Sequence, residues 1–325
     1  MTAAFTIVAI NYLAYAKTLA DTLTKHNPDI ELYICLIGNK DDIPAGNNIP
    51  YKIIDTHSSK MYGFSDMRSR YNNFELVCAL KPFFAEHILQ EIKPDILLYF
   101  DADIVVFNKV DVLLKTFESA SIILTPHCVH VVPKNGNLSM EMNLLNYGLY
   151  NAGFFGVDRS ENAFKFLRWF QEKMFLDCSE DLSKARYYDQ IWLNLVPLYF
   201  EGVHILKDFG YNMAVWNMSE RALSRTAEGT YLINDEVPLV FFHYSGYNPQ
   251  NPDVLSKNHP IYTFLERPDV LPVFNEYKSL LEHNNLEFYK KVLVEDKVKV
   301  SEPIVQVSLK RRVFNKISKY LPANS

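Results

Sequence analysis

The amino-acid sequence predicts an α/β fold with a mostly parallel central sheet flanked by helices. Phe5 to Ile10 is a short apolar run that suits a buried strand. The following segment, 11–26, has apolar residues at helical spacing, and Asn27-Pro28 ends it. A second apolar strand is expected at 31–37. Because strand, helix and strand alternate in this order, we expect parallel pairing with helices on the faces of the sheet.

The rest of the chain continues this alternation. The segment 74–92 predicts a helix that Pro82 kinks or divides into two pieces. The stretch 127–142 contains Pro, Asn and Gly and predicts a long loop, a feature that often binds ligands. Ser160 is the expected N-cap of a further helix. The other predicted elements are strands at 53–54, 96–100, 122–125, 153–157 and 238–242, and helices at 112–117, 188–196, 268–281 and 286–294.

Composition places the chain among ordinary globular proteins. It has 325 residues, of which 48% are hydrophobic and 22% charged, enough to bury one large core or two modest ones. The formal net charge of −5 argues against nucleic acid as the main partner, because a phosphate backbone calls for a basic surface. The four cysteines contain no Cys-x-x-Cys pair, so neither a zinc knuckle nor a redox motif is indicated and a reducing cytosol is the expected compartment.

Two carboxylates one residue apart, Asp101 and Asp103, separate the apolar runs ILLYF and IVVF. Asp is rarely buried unless it is paired or binds a metal, so we expect a cation at this strand end. Mg²⁺ and Mn²⁺ prefer carboxylate oxygens and usually share them with substrate phosphates, which implies a diphosphate-bearing substrate. The structural alternative is that Asp101 ends the strand and Asp103 caps a turn. Metal binding is favoured because open α/β sheets bind ligands at the carboxyl ends of their strands.

Three further motifs place polar residues at predicted strand or helix ends. In Tyr150-Asn151-Ala152-Gly153, small residues leave the backbone open to a ligand, although a simple turn would look the same. Asp189-Gln190 opens a helix, and capping alone would explain that position. His243 ends an apolar strand, and Gly246 lets the backbone turn close to a charged group. Since neutral imidazole is a competent ligand for a Mn²⁺-type ion, His243 is expected to join the two Asp residues.

In chain order, the segments FDADIVVF, YNAGFFGV, YYDQIWLN and FFHYSGY resemble those of GT-A glycosyltransferases. The resemblance spans residues 5–285 and is greatest to the retaining group that includes glycogenin and the bacterial lipopolysaccharide galactosyltransferases. It implies a GT-A, Rossmann-like fold. It also implies metal-dependent transfer of a hexose from a nucleotide-sugar, expected to be a UDP-sugar, to a cell-surface glycan or lipid-linked acceptor.

The resemblance assigns roles to individual residues. By match, Asp101, Asp103 and His243 would hold Mn²⁺ or Mg²⁺ on the nucleotide diphosphate. Asn151, Asp189 and Gln190 would line the sugar pocket beside the reacting carbon. The residues expected to contact the donor are Ala9, Asn11, Tyr12, Lys81, Asp101, Ala102, Asp103, Gly153 and Gly246.

The segment after Gly246 departs from the family pattern. The family commonly has Lys-Pro-Trp there, with the Lys on the diphosphate, whereas this chain has Tyr247-Asn248-Pro249. Lys257 or Lys81 would supply the missing charge. Retention by attack on the face from which the diphosphate departs is favoured over double displacement, for which Asp189 would be the nucleophile.

Two other function classes fit parts of the sequence. A haloacid-dehalogenase-type phosphatase also uses an apolar strand followed by Asp-x-Asp, but there the motif normally opens the domain and a hydroxyl-bearing residue is expected where Val105 stands. A non-catalytic nucleotide-sugar-binding module is the second alternative, because a fold does not fix activity. A glycosyltransferase would bind and slowly hydrolyse the donor, a phosphatase would ignore it, and a binding module would leave it intact.

We predict a catalytic domain over 1–290 and a basic amphipathic tail over 291–325. Residues 297–325 carry seven basic residues and Glu302, a net charge of +6. Because the whole chain has a net charge of −5, residues 1–296 carry −11. Over 307–321 the apolar residues share one helical face, which suits either an anionic membrane surface or packing on the acidic domain. The N-terminal segment has no basic signal region and no segment reaches spanning length. The expected location is the cytoplasm, with peripheral contact at the inner face of the membrane.

Overall fold

The computed structural model describes residues 1–45, 49–59, 61–130 and 138–294, with the backbone alone described at 138–140. The predicted tail therefore lies outside the described residues from 295 onward. The strands are β1 (Thr2–Val8), β2 (Ile30–Leu36), β3 (Lys52–Asp55), β4 (Ile96–Phe100), β5 (Ile104–Val106), β6 (Ile122–Pro126), β7 (Tyr150–Asp158), β8 (Glu180–Asp181), β9 (Arg186–Tyr187), β10 (Val203–Ile205), β11 (Leu223–Arg225), β12 (Tyr231–Ile233), β13 (Val237–Pro238) and β14 (Phe241–His243). The α-helices are α1 (Leu13–His26), α2 (Phe64–Arg70), α3 (Asn73–Glu91), α4 (Asp111–Thr116), α5 (Leu138–Tyr147), α6 (Glu161–Leu176), α7 (Val196–Tyr199), α8 (Leu271–His283) and α9 (Leu286–Tyr289).

The central sheet has the strand order β10-β6-β7-β4-β1-β2-β3. Strands β1 to β4 pair in parallel where they are neighbours, and β10 pairs in parallel with β6. Only β7 runs antiparallel to both of its neighbours in this sheet, β4 and β6. The predicted mostly parallel sheet is thus confirmed. Because β7 runs in the opposite direction, its first residues lie at the edge where β4 and β6 end.

Two hydrophobic cores cover the two faces of the sheet. Alternate residues of β1 divide between them: Ala3, Phe5 and Ile7 join the core formed with α3 and α6. Ala4 and Val8 join the core formed with α1, α8 and α9. Burial on both faces explains why the strands read as nearly continuous apolar runs. The packing of α8 and α9 against α1 agrees with a catalytic domain that extends to about residue 290, although this boundary stays a prediction.

Helix α3 carries a basic side chain towards the edge where the sheet strands end. A capping box begins the helix: Asn72 accepts from the Glu75 N–H, and Glu75 accepts from the Asn72 N–H. The helix runs without interruption through Pro82, so the predicted division into two pieces does not occur. Ser160 caps α6 as predicted, by accepting from the Ala163 N–H at 3.2 Å.

Several predicted elements differ in extent. A helix, α5, occupies part of the predicted 127–142 loop, because the Pro, Asn and Gly residues that indicated a loop precede it. Strand β7 begins at Tyr150, so Asn151 lies inside the strand, where pairing with Thr125 of β6 overrides the low strand propensity of Asn. The segment predicted as a helix at 188–196 is a 3₁₀ helix over Gln190–Leu195 followed by α7.

Two predictions near the C-terminal part of the described chain also differ. The single strand predicted at 238–242 is divided into β13 and β14, which belong to different small sheets. The closing helix predicted at 286–294 ends at Tyr289. Among the helices formed by the described residues, none combines the length and apolar character needed to cross a membrane.

Candidate active site

The Asp-x-Asp segment connects β4 to β5 at the carboxyl edge of the central sheet. The Asp101 N–H donates to the Gly153 carbonyl at 2.7 Å, and the Ile104 N–H donates to the Asp101 carbonyl at 3.2 Å, which closes a tight turn around Ala102. Tyr99 donates its hydroxyl to Asp101 Oδ1. The Asp101 and Asp103 side chains remain 27% and 32% exposed, so both carboxylates are accessible at this edge.

His243 reaches the same place from a distant part of the chain. Strand β14 pairs antiparallel with β5, so that His243 lies opposite Ile104, and the Tyr244 N–H donates to the Asp103 carbonyl at 2.9 Å. His243 Nε2 lies 3.1 Å from Asp103 Oδ1 and 3.9 Å from Asp101 Oδ2. One ligand atom from each of Asp101, Asp103 and His243 falls within 4.8 Å of the others. The structure therefore brings the three predicted metal ligands together.

The electrostatics of this cluster favour a positive charge between its members. Burial lowers the pKa of His243, but the Asp103 and Asp101 carboxylates outweigh it and the net direction is upward. Burial raises the pKa of Asp103, but the His243 ring outweighs it and the net direction is downward. Carboxylate oxygens and an imidazole nitrogen form a ligand set that suits Mn²⁺ or Mg²⁺, so the residues fit such an ion.

Strand β7 brings Asn151 and Gly153 against the His243 ring. Asn151 is buried, and its Oδ1 lies 3.1 Å from His243 Nδ1 while it accepts from the Gly153 N–H at 3.2 Å. A Cβ at Gly153 would lie 2.3 Å from His243 Cε1, so only glycine lets the imidazole pack against the strand here.

Lys81 lies on α3 with its ammonium group between two carboxylates. Its Nζ is 2.7 Å from Asp189 Oδ2 and 3.3 Å from Asp101 Oδ1, and it donates to the Ala152 carbonyl at 2.9 Å. Burial lowers the pKa of Lys81, but Asp101 and Asp189 outweigh it and the net direction is upward. Burial and the nearby Asp101 carboxylate raise the pKa of Asp189, Lys81 lowers it, and the net direction is upward. The 2.7 Å contact between Lys81 Nζ and Asp189 Oδ2 is a buried ion pair.

Asp189 and Gln190 stand where the 3₁₀ helix begins. Asp189 makes no capping hydrogen bond, so its contact with Lys81 replaces the capping role considered above. Gln190 Oε1 accepts from the Ala152 N–H and from Asn151 Nδ2, both at 3.2 Å. Gln190 Nε2 donates to the Tyr147 carbonyl at 2.9 Å. The predicted sugar-pocket residues thus form one connected group next to the three candidate ligands.

A cavity of about 780 Å³ lies beyond the ends of β1, β2 and β3. The end of the first strand, residues 9–12, is the stretch that the resemblance places on the nucleoside of the donor; Ile10 from this stretch lines the cavity, and Ala9, Asn11 and Tyr12 do not. Asn11 Oδ1 is buried with no hydrogen-bond partner within the described ranges. Tyr12 is 53% exposed and stacks on Tyr15 with ring centroids 5.1 Å apart. The exposed Tyr12 ring is therefore open to contact with a ligand, and contact of Asn11 with the donor stays a prediction.

Gly246 forms the turn after β14. Its φ of +75° is a left-handed conformation that favours glycine, and a Cβ there would lie 2.6 Å from Ser256 Oγ. The Gly246 carbonyl accepts from the Lys257 N–H at 3.1 Å, which places the exposed Lys257 beside this turn. Backbone geometry and packing account for the glycine, and contact of Gly246 with a donor stays a prediction.

Sequence reasoning missed a second group of residues around the His243 ring. Asn212 Nδ2 donates to Asn151 Oδ1 at 3.3 Å, and Asn217 Nδ2 donates to the carbonyls of Asn212 and His127. The Trp216 ring lies 5.2 Å from both the His127 and the His243 rings. None of these residues stands in a recognisable motif. The single sequence signal is that Asn tolerates the left-handed backbone that Asn212 adopts, with φ of +56°.

The chain is similar in sequence to two proteins of Bacillus subtilis. No protein-family model matches the chain. The uncharacterized protein YfnD of Bacillus subtilis strain 168 is 26% identical over 250 residues, which cover 74% of this chain and 76% of YfnD. The uncharacterized protein YfnF of the same strain is 23% identical over 211 residues, which cover 64% of this chain and 67% of YfnF.

Among solved structures, an active-site mutant of LgtC matches with a TM-score of 0.52 at 17% identity, over 86% of this chain and 95% of LgtC. The complex of the galactosyltransferase LgtC with donor and acceptor sugar analogs gives a TM-score of 0.49 at 17% identity, over 87% of this chain and 96% of LgtC. The match at 0.52, together with the strand order, confirms the predicted GT-A fold.

Proposed function

We propose that the protein is a metal-dependent glycosyltransferase that moves a hexose from a UDP-sugar to a cell-surface glycan or lipid-linked acceptor, with retention of configuration. The observation that carries the proposal is the cluster of Asp101, Asp103 and His243 at the carboxyl edge of a GT-A sheet. The fold is shared with LgtC, which is a galactosyltransferase, and this supports a sugar transfer over the phosphatase alternative.

Asp101, Asp103 and His243 would hold the divalent ion. When bound, Mn²⁺ or Mg²⁺ would neutralise the negative charge that develops on the departing diphosphate. The chain holds the ligands in advance: the Tyr99 hydroxyl binds Asp101, and the Tyr244 N–H fixes the backbone of Asp103. Such preorganisation reduces the reorganisation needed when charge develops in the transition state.

The state of Asp189 supports retention without a covalent intermediate. Asp189 is 3% exposed and ion-paired with Lys81 at 2.7 Å. If Asp189 attacked the anomeric carbon, Lys81 would lose a counter-ion inside the protein, which is costly. We therefore propose that Asn151, Asp189 and Gln190 line the sugar pocket, and that the acceptor attacks the face from which the diphosphate departs.

The contacts of Lys81 also help to decide which lysine contacts the donor diphosphate. Its charge is already shared between Asp189 and Asp101, and its side chain is 3% exposed. Lys257 is exposed beside the turn at Gly246. We therefore assign to Lys257, in place of Lys81, the contact with the diphosphate that the family's Lys-Pro-Trp segment would make.

The test is a donor screen. The full-length protein is incubated with a panel of nucleotide hexoses and Mn²⁺, and donor hydrolysis is followed by mass spectrometry. We expect one UDP-hexose to be hydrolysed, with activity lost on chelation and in Asp103→Asn. The matched control is Asp111→Asn, which changes an exposed carboxylate in the first turn of α4 and should leave hydrolysis unchanged. Proton NMR of the released sugar, recorded before mutarotation, should show the anomer of the donor.

Each competing reading gives a different result in the same screen. Binding of a nucleotide-sugar without turnover would indicate a binding module, and hydrolysis of phosphomonoesters in its place would indicate a phosphatase. The opposite anomer would mean inversion. Full activity and unchanged metal dependence in Asp103→Asn would show that the metal site is assigned to the wrong residues.

A further inference from the structure

Hydrogen bonds identify which end of the Asn151 side-chain amide is the oxygen and which is the nitrogen. The Gly153 N–H donates to one end at 3.2 Å, and since a backbone N–H needs an acceptor, this end is Oδ1. The other end faces Gln190 Oε1 at 3.2 Å. That Gln190 atom is itself an oxygen, because it accepts from the Ala152 N–H. The Asn151 atom facing Gln190 is therefore the donor, Nδ2.

This orientation fixes the hydrogen on the His243 ring. Asn151 Oδ1 lies 3.1 Å from His243 Nδ1, and an amide oxygen can only accept, so Nδ1 carries a hydrogen. In the neutral ring, the lone pair is then on Nε2, the atom that faces Asp103 and Asp101. The lone pair of His243 Nε2 and the carboxylates of Asp101 and Asp103 thus face one another. A bound cation stabilises such an arrangement.

Asn212 stabilises this orientation of the Asn151 amide by a further hydrogen bond. It is completely buried, and its Nδ2 donates to Asn151 Oδ1 at 3.3 Å and to Thr125 Oγ1 at 3.2 Å. Its own Oδ1 is buried without a hydrogen-bond partner in the part of the chain that the structure describes. A left-handed backbone and an unsatisfied buried acceptor both cost stability, and such costs concentrate at functional sites.

We propose that Asn212 is a positioning residue for the metal site: through Asn151, it holds His243 in the tautomer that presents Nε2 to the ion. The inference rests on the metal site proposed above and concerns how its third ligand is oriented. Removing outer-sphere partners of a ligating histidine typically weakens metal affinity about 10–100-fold. Because the Gly153 N–H would still hold Asn151, we expect the lower end of that range.

The first test is the variant Asn212→Gly, since glycine keeps the left-handed backbone and removes the amide. Mn²⁺ affinity is measured without donor, from the electron paramagnetic resonance signal of free Mn²⁺. We expect roughly tenfold weaker binding than in the wild type. The matched control is Asn284→Gly, which removes another buried amide, one that donates to Thr18 and Asp21, and should leave Mn²⁺ affinity unchanged.

The second test needs no variant at Asn212. Long-range ¹H–¹⁵N spectra of the metal-free wild type, recorded at a pH where the ring is neutral, should show His243 protonated at Nδ1, with its signals identified by their loss in His243→Asn. Protonation at Nε2, or unchanged Mn²⁺ affinity in Asn212→Gly, would overturn the inference. If the wild type itself binds no Mn²⁺, the proposed metal site fails, and this outcome is distinct from failure of the Asn212 role alone.

Discussion

Lys81 carries a positive charge into the protein interior, where it lies between Asp189 and Asp101. A buried ion pair adds little net stability, because desolvation of both charges offsets their attraction. Loss of one partner is costly all the same, since the other charge then stays buried and unpaired. Lys81 and Asp189 are each about 3% to 4% exposed, so this case applies to them.

Replacing Lys81 by Met should therefore lower the free energy of unfolding by about 3–5 kcal/mol. Urea denaturation followed by circular dichroism measures the change. The matched control is Lys52→Met, because Lys52 pairs with Glu31 at 2.6 Å but on the surface, where such pairs contribute little. If both variants lost the same free energy of unfolding, the Lys81–Asp189 pair would contribute no more than a surface ion pair.

His127 links stability to pH. Burial lowers its pKa from the ordinary 6.5 to about 4 in the folded protein. Between these two values the unfolded chain binds the proton and the folded chain does not, so the free energy of unfolding rises with pH across this window. His127→Gln should remove a contribution of about 3 kcal/mol to the stability difference between pH 6.5 and pH 4. Urea titrations of both proteins at several pH values measure it, and parallel pH slopes would mean that folded His127 accepts the proton.

At the level of secondary structure, β7 is the element on which the candidate site most depends. Three consecutive residues of this strand each make a different contact: the Asn151 amide meets His243, the Ala152 carbonyl accepts from Lys81, and the Gly153 carbonyl accepts from the Asp101 N–H. A substitution in β7 should therefore disturb the geometry of the candidate metal ligands although the ligands themselves are unchanged.

Gly153→Ala should abolish Mn²⁺ binding while the far-ultraviolet circular dichroism spectrum is retained, because the added methyl group would occupy the space of the His243 ring. Mn²⁺ titration by electron paramagnetic resonance is the measurement. Gly156→Ala is the matched control three residues along the same strand, where a Cβ would lie 2.8 Å from Phe117 Cζ. We expect this control to lose stability through overpacking and to keep its Mn²⁺ affinity. Similar Mn²⁺ affinities in both variants would show that Gly153 is not needed for metal binding.

The sequence predicts those parts of the fold that local patterns encode. Apolar runs located the main strands, and helical spacing located α1, α3 and α6. Asp101, Asp103 and His243 could be located because each follows or ends an apolar strand. Asn212 could not, since its contacts to Thr125 and Asn151 join segments that no local pattern connects. The sequence likewise predicts one helix at 188–196 and does not show that its first part is a 3₁₀ helix, because the apolar spacing there does not distinguish the two helix types.

Across the whole molecule, charge is distributed unevenly, with +6 on residues 297–325 and −11 on residues 1–296, out of a total of −5. The predicted amphipathic helix at 307–321 lies outside the described residues, so its role stays a prediction. Basic residues near an anionic bilayer contribute about 1 kcal/mol each. The composition of the tail therefore suits either peripheral contact with an anionic membrane or packing on the acidic domain, and the two predictions differ in a binding experiment.

Deleting residues 308–325 should release the protein from anionic liposomes while donor hydrolysis is retained. Co-sedimentation with vesicles that contain phosphatidylserine measures the release. A variant with Val313→Ser, Phe314→Ser and Ile317→Ser keeps the charge and removes much of the apolar face, so it should bind more weakly than the wild type. A truncated protein that still sediments with vesicles, or that unfolds, would favour packing of the tail on the acidic domain.

The pairing of β5 with β14 has a consequence for biosynthesis. It joins Asp103 to His243, which are separated by about 140 residues of chain. At about 5–20 residues per second, a ribosome needs on the order of ten seconds to make the intervening segment. During that time the nascent chain presents two carboxylates without their imidazole partner. Translation that stops before residue 243 would therefore release a product that cannot assemble the full ligand set.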